Sequence, residues 1–246
     1  MKLAGANQNV RILLGMALLA AATSYFEPDG ANCGSSVGCV MHPYRCKGRR
    51  CQVLVTFRED SVDERKDAVS IEMLAKSDGW FALGFSLDQH MSQDDVYTCV
   101  LSPSGQIELR HYYNFGRRSF QFPMHGVTHI EGGYSDGYLS CRFTRLKTVP
   151  DRRSKKVHDL SREYYFLLPT GEVAPNGTLL KHAPLPLVSK FKAYLRFENE
   201  LIEAVKSHDP DDHDPNDNER YQSVSNSAVM LTAPGLMVWF LRAILP

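Results

Sequence analysis

The chain carries no net charge of either sign. Its 28 basic side chains are balanced by 28 acidic ones, so no long-range field draws it to nucleic acid or to an acidic membrane surface. No glycine-rich phosphate loop, dinucleotide fingerprint or zinc motif occurs in it. No nucleophile, base and orienting acid can be picked out, so the residues give no support to hydrolytic or nucleophilic catalysis. Internal repeats are absent. Between the two ends no apolar run is long enough to span a bilayer, which excludes a built-in multi-helix membrane core.

What is present is enough for one folded domain. The 246 residues are 43% hydrophobic and 10% aromatic, a supply that can form a core and argues against a chain disordered throughout. Short β-type runs recur at Gln52–Phe57, Val69–Ala75, Trp80–Phe85, Val96–Leu101, Ile107–Tyr113, Tyr138–Phe143 and Glu163–Leu168. Gly, Pro, Asp or Ser signals bound most of them at roughly the 8–12 residue spacing of an all-β sandwich. Lys76-Ser77-Asp78-Gly79 and Ser102-Pro103-Ser104-Gly105 read as turns in which glycine supplies positive φ. From Phe115 to Tyr138 the pattern dissolves into a loop, and Thr148 to Lys156 reads as a solvated, cation-rich crossing. Leu201, Ile202 and Val205 stand at helical spacing, so residues 195–205 are predicted to be a short amphipathic helix closing the domain.

Both ends carry processing or attachment signals. Lys2 and Arg11 precede the apolar run Ile12 to Ala22, and Ala22-Thr23-Ser24 has the small-x-small form of a signal-peptidase site, so residues 1–24 are expected to be a signal peptide. Residues 207–227 are Asp-, Asn-, His- and Pro-rich without apolar periodicity, and are predicted to be a disordered acidic linker. The hydrophobic tail 228–246 is just long enough to cross a core of roughly 30 Å at ~1.5 Å per residue. Small residues at Ser225 to Ala228 equally suit a lipid-anchor signal. Either way the tail attaches the domain to a membrane.

The six cysteines agree with a secretory route, since an even count in such a chain reads as a disulfide framework. Cys33, Cys39, Cys46 and Cys51 cluster in residues 25–51, where four cysteines allow three connectivities. Cys99 and Cys141 each lie in a strand-like run and are expected to staple the sandwich. Asn176-Gly177-Thr178 is a glycosylation acceptor sequence. The adjacent Asp94 and Asp95 would point to opposite faces of a strand, one capping a turn and the other facing solvent. His42, His90, His111, His125, His129 and His158 show no metal spacing.

Two segments are more specific than the rest. The first is Asp78-Gly79-Trp80-Phe81-Ala82-Leu83-Gly84-Phe85-Ser86, with Met91-Ser92-Gln93-Asp94-Asp95-Val96 after it. The second is Tyr164-Tyr165-Phe166-Leu167-Leu168-Pro169-Thr170-Gly171, followed by Gly177-Thr178-Leu179-Leu180-Lys181-His182. This order of features resembles the DOMON family, immunoglobulin-like β-sandwiches found in haem b cytochromes, ferric-chelate reductases and dopamine hydroxylase. The resemblance implies one all-β DOMON domain over residues 52–206. It also implies that Met91 and His182 are the axial ligands of a haem b, and such a pair gives low-spin iron with a raised potential.

His111-Tyr112-Tyr113-Asn114 and Leu139-Ser140-Cys141-Arg142-Phe143, with the clustered cysteines and the tail, further resemble the ferric-chelate reductase 1-like branch. That branch has a single DOMON domain on a C-terminal membrane attachment and lacks the reductase core. It implies a non-enzymatic auxiliary protein for biogenesis and trafficking of AMPA-type ionotropic glutamate receptors, in the endoplasmic reticulum and at the synaptic plasma membrane. The competing expectation is a haem b electron-transfer module serving a separate membrane reductase.

Overall fold

The computed structural model describes residues 25–28, 30–59, 67–149, 156–195 and 201–207. The expected signal peptide, the acidic linker beyond Ser207 and the hydrophobic tail lie outside the described residues, as does most of the cation-rich crossing. Among the described residues no helix is long and apolar enough to cross a membrane.

The architecture is all-β. In chain order the strands are β1 (Gly38–His42), β2 (Val53–Glu59), β3 (Ala68–Lys76), β4 (Trp80–Ser86), β5 (Asp95–Leu101), β6 (Ile107–Phe115) and β7 (Arg118–Phe122). They continue with β8 (Val127–Ser135), β9 (Tyr138–Leu146), β10 (Tyr165–Leu168), β11 (Thr170–Gly171), β12 (Leu187–Ser189) and β13 (Leu201–Lys206). Neighbouring strands run β7-β6-β5-β4-β10-β12-β13-β1-β2-β3-β9-β8, with β11 set against β4. Every pairing is antiparallel except β1 with β13. The path curls into two facing layers, so that β5 and β9, far apart along it, are joined by the Cys99–Cys141 disulfide with Cα atoms 5.8 Å apart.

Side-chain alternation explains the layers. Phe57, Ile71, Met73, Phe81, Leu83, Phe85, Phe143 and Phe166 point into the space between them and are sealed from water. Each such side chain contributes about 1.5–3 kcal/mol by leaving water. β4 is buried on both faces. Its outward residues Trp80 and Ala82 pack with Val96 and Val100 beneath Val173 and Leu179 of the segment after β11. That lid fits closely: a Cβ on Gly171 would come within 2.6 Å of the Trp80 ring, and the Trp80 indole N–H donates to the Leu180 carbonyl at 3.2 Å.

The cysteine cluster is part of the domain. Cys33 pairs with Cys39 and Cys46 with Cys51, and both bridges cover the outer side of the second layer with Val37, Met41, Leu54 and Leu74. Segment 25–51 also supplies β1, which lies between β2 and β13.

Two expectations are corrected. The predicted closing helix is, over residues 201–206, the strand β13. Its buried residues Ile202 and Ala204 alternate, a period of two that the Leu201, Ile202 and Val205 spacing obscured, and its partners β1 and β12 hold it extended. The expected loop from Phe115 to Tyr138 contains β7 and β8, the two ends of the sheet path. Both are largely solvent-exposed, and the one apolar alternation, Phe120 with Phe122 in β7, is too short to mark a strand. Asp136 and Gly137, with φ of 52° and 79°, form the two-residue turn between β8 and β9, a turn type that favours Asp-Gly.

Loss of the inter-layer bridge tests this arrangement. Replacing both Cys99 and Cys141 with alanine should lower unfolding stability by roughly 2–5 kcal/mol, seen as an earlier urea midpoint. An unchanged midpoint would show that the two layers do not depend on it.

Candidate functional site

Met91 sits in the loop from β4 to β5, half-buried. Short polar side chains shape this loop: Asp88 N–H donates to Ser86 Oγ at 3.2 Å, His90 N–H to Asp88 Oδ1 at 2.8 Å, and Ser92 N–H to Asp94 Oδ2 at 2.9 Å. Gln89 Nε2 ties the loop to the Ser189 carbonyl of β12 at 3.1 Å. His182 follows the turn at residues 174–178 and is also half-buried. The Ala183 N–H donates to the Thr170 carbonyl at 3.1 Å, which anchors His182 beside β11. Since β11 pairs with Trp80 and Phe81, His182 belongs to the first end of β4 and Met91 to the loop beyond its last residue, Ser86. No hydrogen bond or ring contact joins the two among the described residues.

A thioether and an imidazole are donor types that a haem iron takes, but the structure sets these two at opposite ends of β4 and does not bring them together. His182 Nδ1 lies 2.7 Å from the Ala183 carbonyl. A proton held there leaves Nε2 with a free lone pair, the usual way a second contact orients an imidazole ligand. Between the two ends, the outward residues of β4 are the small Ala82 and Gly84, flanked by Val96 and Leu167. Asn176 is exposed at the tip of its turn, with its Oδ1 accepting from the Thr178 N–H at 3.1 Å.

A second constellation escaped the sequence reading. Asp94 and Asp95 are both fully buried, which corrects the expected solvent-facing carboxylate. Asp94 does cap a turn, accepting from Ser92 N–H and from Asn114 Nδ2 at 2.8 Å. Asp95 turns inward between the layers. Its Oδ1 meets His111 Nε2 at 2.8 Å, and its Oδ2 accepts the His158 N–H at 2.8 Å. Arg145, wholly buried on β9, places Nη2 3.7 Å from Asp95 Oδ2. The same Nη2 donates to the His158 carbonyl at 2.9 Å, while Nε donates to the Tyr97 hydroxyl at 2.8 Å. The other His111 nitrogen lies 2.9 Å from the Pro123 carbonyl.

Aromatic rings enclose these charges. Tyr97 stacks on His111 at 4.9 Å and His158 stacks on Tyr164 at 5.1 Å. Burial raises the Tyr97 hydroxyl above its ordinary value, with Asp95 adding to the shift, and pushes the Tyr164 hydroxyl up to about 12. Burial also lowers His158, against the opposing pull of Asp95 and Asp94. Asp94 Oδ1, Arg145 Nη1 and His158 Nδ1 find no protein partner among the described residues. Asp94, Asp95, His111 and Arg145 are sealed from solvent. Asp95 and Arg145 grip the amide and carbonyl of one residue, His158, and so fasten the segment after the cation-rich crossing across the end of the sandwich. The available sequence signals were His111 and Arg145 at inward strand positions, but charged side chains there read as solvent-facing until a buried partner is known.

Neutral His158 gives this end of the domain a pH dependence. Because burial depresses its folded-state value, the unfolded chain binds that proton more readily. The stability it confers is complete above the ordinary value of 6.5 and is lost as pH falls below it. Urea midpoints of the wild type should therefore fall between about pH 6.5 and pH 5 more steeply than those of His158→Phe. Parallel curves would refute the assignment.

Comparison with known proteins places these features in a group. A DOMON domain profile matches residues 57–171, from β2 to β11. The chain is 31% identical over 152 residues to the DOMON domain-containing protein FRRS1L of Homo sapiens, covering 61% of this chain and 49% of that protein. It is 30% identical over 168 residues to putative ferric-chelate reductase 1 of Xenopus laevis, covering 67% and 27%. With ferric-chelate reductase 1 of Mus musculus the identity is 29% over 161 residues, covering 64% and 26%. The chain thus spans about half the length of the first relative and about a quarter of the reductases. Met91 lies within the profile match, and His182 lies beyond it.

Proposed function

The chain carries a DOMON domain and is related to the ferric-chelate reductases, and from that premise we propose that it is a non-enzymatic partner protein of the secretory pathway, an auxiliary factor for AMPA-type ionotropic glutamate receptors. The observation that carries this reading is the similarity to FRRS1L over 152 residues, together with the motif order by which the sequence resembles that branch. The buried charges agree with it: Asp95, His111 and Arg145 are sealed inside the core, where they order the fold and touch no substrate. Three disulfides favour an oxidising compartment, and the exposed Asn176 is placed where a glycan would project freely. The attachment would be the tail 228–246, holding the domain on the lumenal or extracellular side.

Co-expression with an AMPA-type receptor subunit tests the proposal. Full-length chain should co-precipitate with the receptor from endoplasmic-reticulum membranes and raise its surface level. An unchanged surface level, with no co-precipitation, would remove this function.

The orientation of His182 favours a second reading, a haem b electron-transfer module working with a separate membrane reductase. Met91 and His182 would hold the group, which would supply one-electron exchange when bound. In that role the Ala183 carbonyl would keep the proton on Nδ1, and the β4–β5 loop would present the thioether. Protein expressed with added haemin should then show a low-spin Soret band that His182→Ala abolishes. Well-folded protein without a Soret band would sink this alternative and leave the partner reading intact.

A further inference from the structure

The two ends of the sheet path are not alike. β8 is blunted: its register shifts between Thr128 and Glu131, His129 sits at a φ of 51°, and Glu131 pairs with Arg142 back across the sheet at 2.5 Å. Bulges and charges of this kind keep a second strand from adding to an edge. β7 has no bulge, and among the described residues no ion pair ties its charges back to the sheet. Its ladder with β6 is regular from Phe115↔Arg118 to His111↔Phe122. Among the described residues nothing pairs with its other side.

The turn fixes which groups are free. Gly116 and Arg117 form a two-residue hairpin turn closed by Phe115 and Arg118, and such a closing pair exchanges both of its hydrogen bonds. Alternate residues therefore turn the other way, so Ser119 and Gln121 present N–H and C=O outward. The Ser119 hydroxyl is already engaged, donating to Asn114 Oδ1 at 2.6 Å, and this stiffens the hairpin.

The inner face of β6 and β7 also runs out past the core. Phe122, Tyr113, Phe115 and Phe120 form a row of edge-to-face rings at 4.9–6.1 Å. Tyr113 is buried, yet Phe115 is 42% and Phe120 48% exposed. Cations surround the open end of the row: Arg117 and Arg118 at the tip, and Lys156 with Nζ 4.0 Å above the Phe115 ring.

We propose that the β7 edge, from Arg118 to Phe122, is the docking site for an extended segment of a partner protein. That segment adds as one more strand, sets apolar side chains at alternate positions beside Phe120 and Phe122, and brings acidic side chains to Arg117, Arg118 and Lys156. Main-chain bonds to Ser119 and Gln121 hold it, the aromatic row sets its alternation, and the cations select its charge. This rests on the partner-protein reading above and identifies the surface that reading needs.

The test uses the full chain and a synthetic peptide that alternates valine with threonine and ends in aspartates. Binding should slow amide hydrogen exchange at Ser119 and Gln121. Gln121→Pro leaves the β6–β7 ladder intact because that N–H points away from β6. It should weaken binding about tenfold, the effect of losing one well-formed hydrogen bond. Phe120→Lys, which keeps every backbone amide, should weaken it as well and covers the case in which the proline variant fails to fold. Unprotected amides, or affinities that neither folded variant changes, would overturn the proposal. So would two other outcomes: self-association abolished by Gln121→Pro without peptide binding, which assigns the edge to a second copy, or co-sedimentation with anionic vesicles without amide protection, which assigns it to lipid. Receptor co-precipitation that persists in Gln121→Pro would overturn only this surface and leave the receptor function standing.

Discussion

A guanidinium with no access to water governs one end of this domain. Arg145 is sealed between the layers, and a buried charge of that kind is tolerable only when partners replace its hydration. The Asp95 carboxylate, the Tyr97 hydroxyl and the His158 carbonyl do so from β5 and from the segment before β10. Each partner is thereby fixed in turn. Asp95 must stay turned inward, which holds His111 of β6 against its other oxygen. His158 must present its backbone to both charges, which brings its chain segment over the end of the sandwich. Breaking one member would strand the others, so the network sets register among β5, β6 and β9 more sharply than apolar packing alone could.

That network also separates what was legible in the sequence from what was not. The central strands were legible because each buries at least one face: Trp80–Phe85 and Val96–Leu101 show it as nearly continuous apolar residues, Ile107–Tyr113 as alternation. The inter-layer disulfide was legible because Cys99 and Cys141 lay inside such runs. The edges were not, since β8 faces water without a pattern and β7 offers only Phe120 and Phe122 at alternate positions. β13 was misjudged because Leu201, Ile202 and Val205 satisfy a helical period by coincidence, and pairing with β1 and β12 overrode it. The buried cluster was invisible for a different reason. Asp95, His111 and Arg145 are ordinary surface residues by type, and only the curl of the sheet, which turns β5 and β9 toward each other, brings them together.

The candidate haem ligands illustrate the limit from the other side. Met91 and His182 stood out by resemblance, and the structure gives each a defined local setting: a polar-capped loop for one, an oriented imidazole for the other. Those settings follow from β4. Its last residue launches the loop, its first two residues pair with β11, and Gly171 fits closely on Trp80 in the segment that leads to His182. One doubly buried strand thus places both residues, one at each of its ends.

Burial on both faces has a cost that the rest of the molecule reflects. Covering the outer side of β4 consumes the segment after β11, and covering the outer side of β1 to β3 consumes the disulfide-bridged segment 25–51. Among the described residues no strand pairs with the outer side of either end of the sheet path. β8 solves this with a bulge and an ion pair, devices that discourage another strand. β7 keeps a straight ladder, outward amides and an exposed aromatic row ringed by cations. An edge so kept in a protein that protects its other edge is best understood as a surface held open for use. With Asp94, Asp95, His111 and Arg145 buried, that edge and the loops around β4 are the surfaces on which the proposals rest.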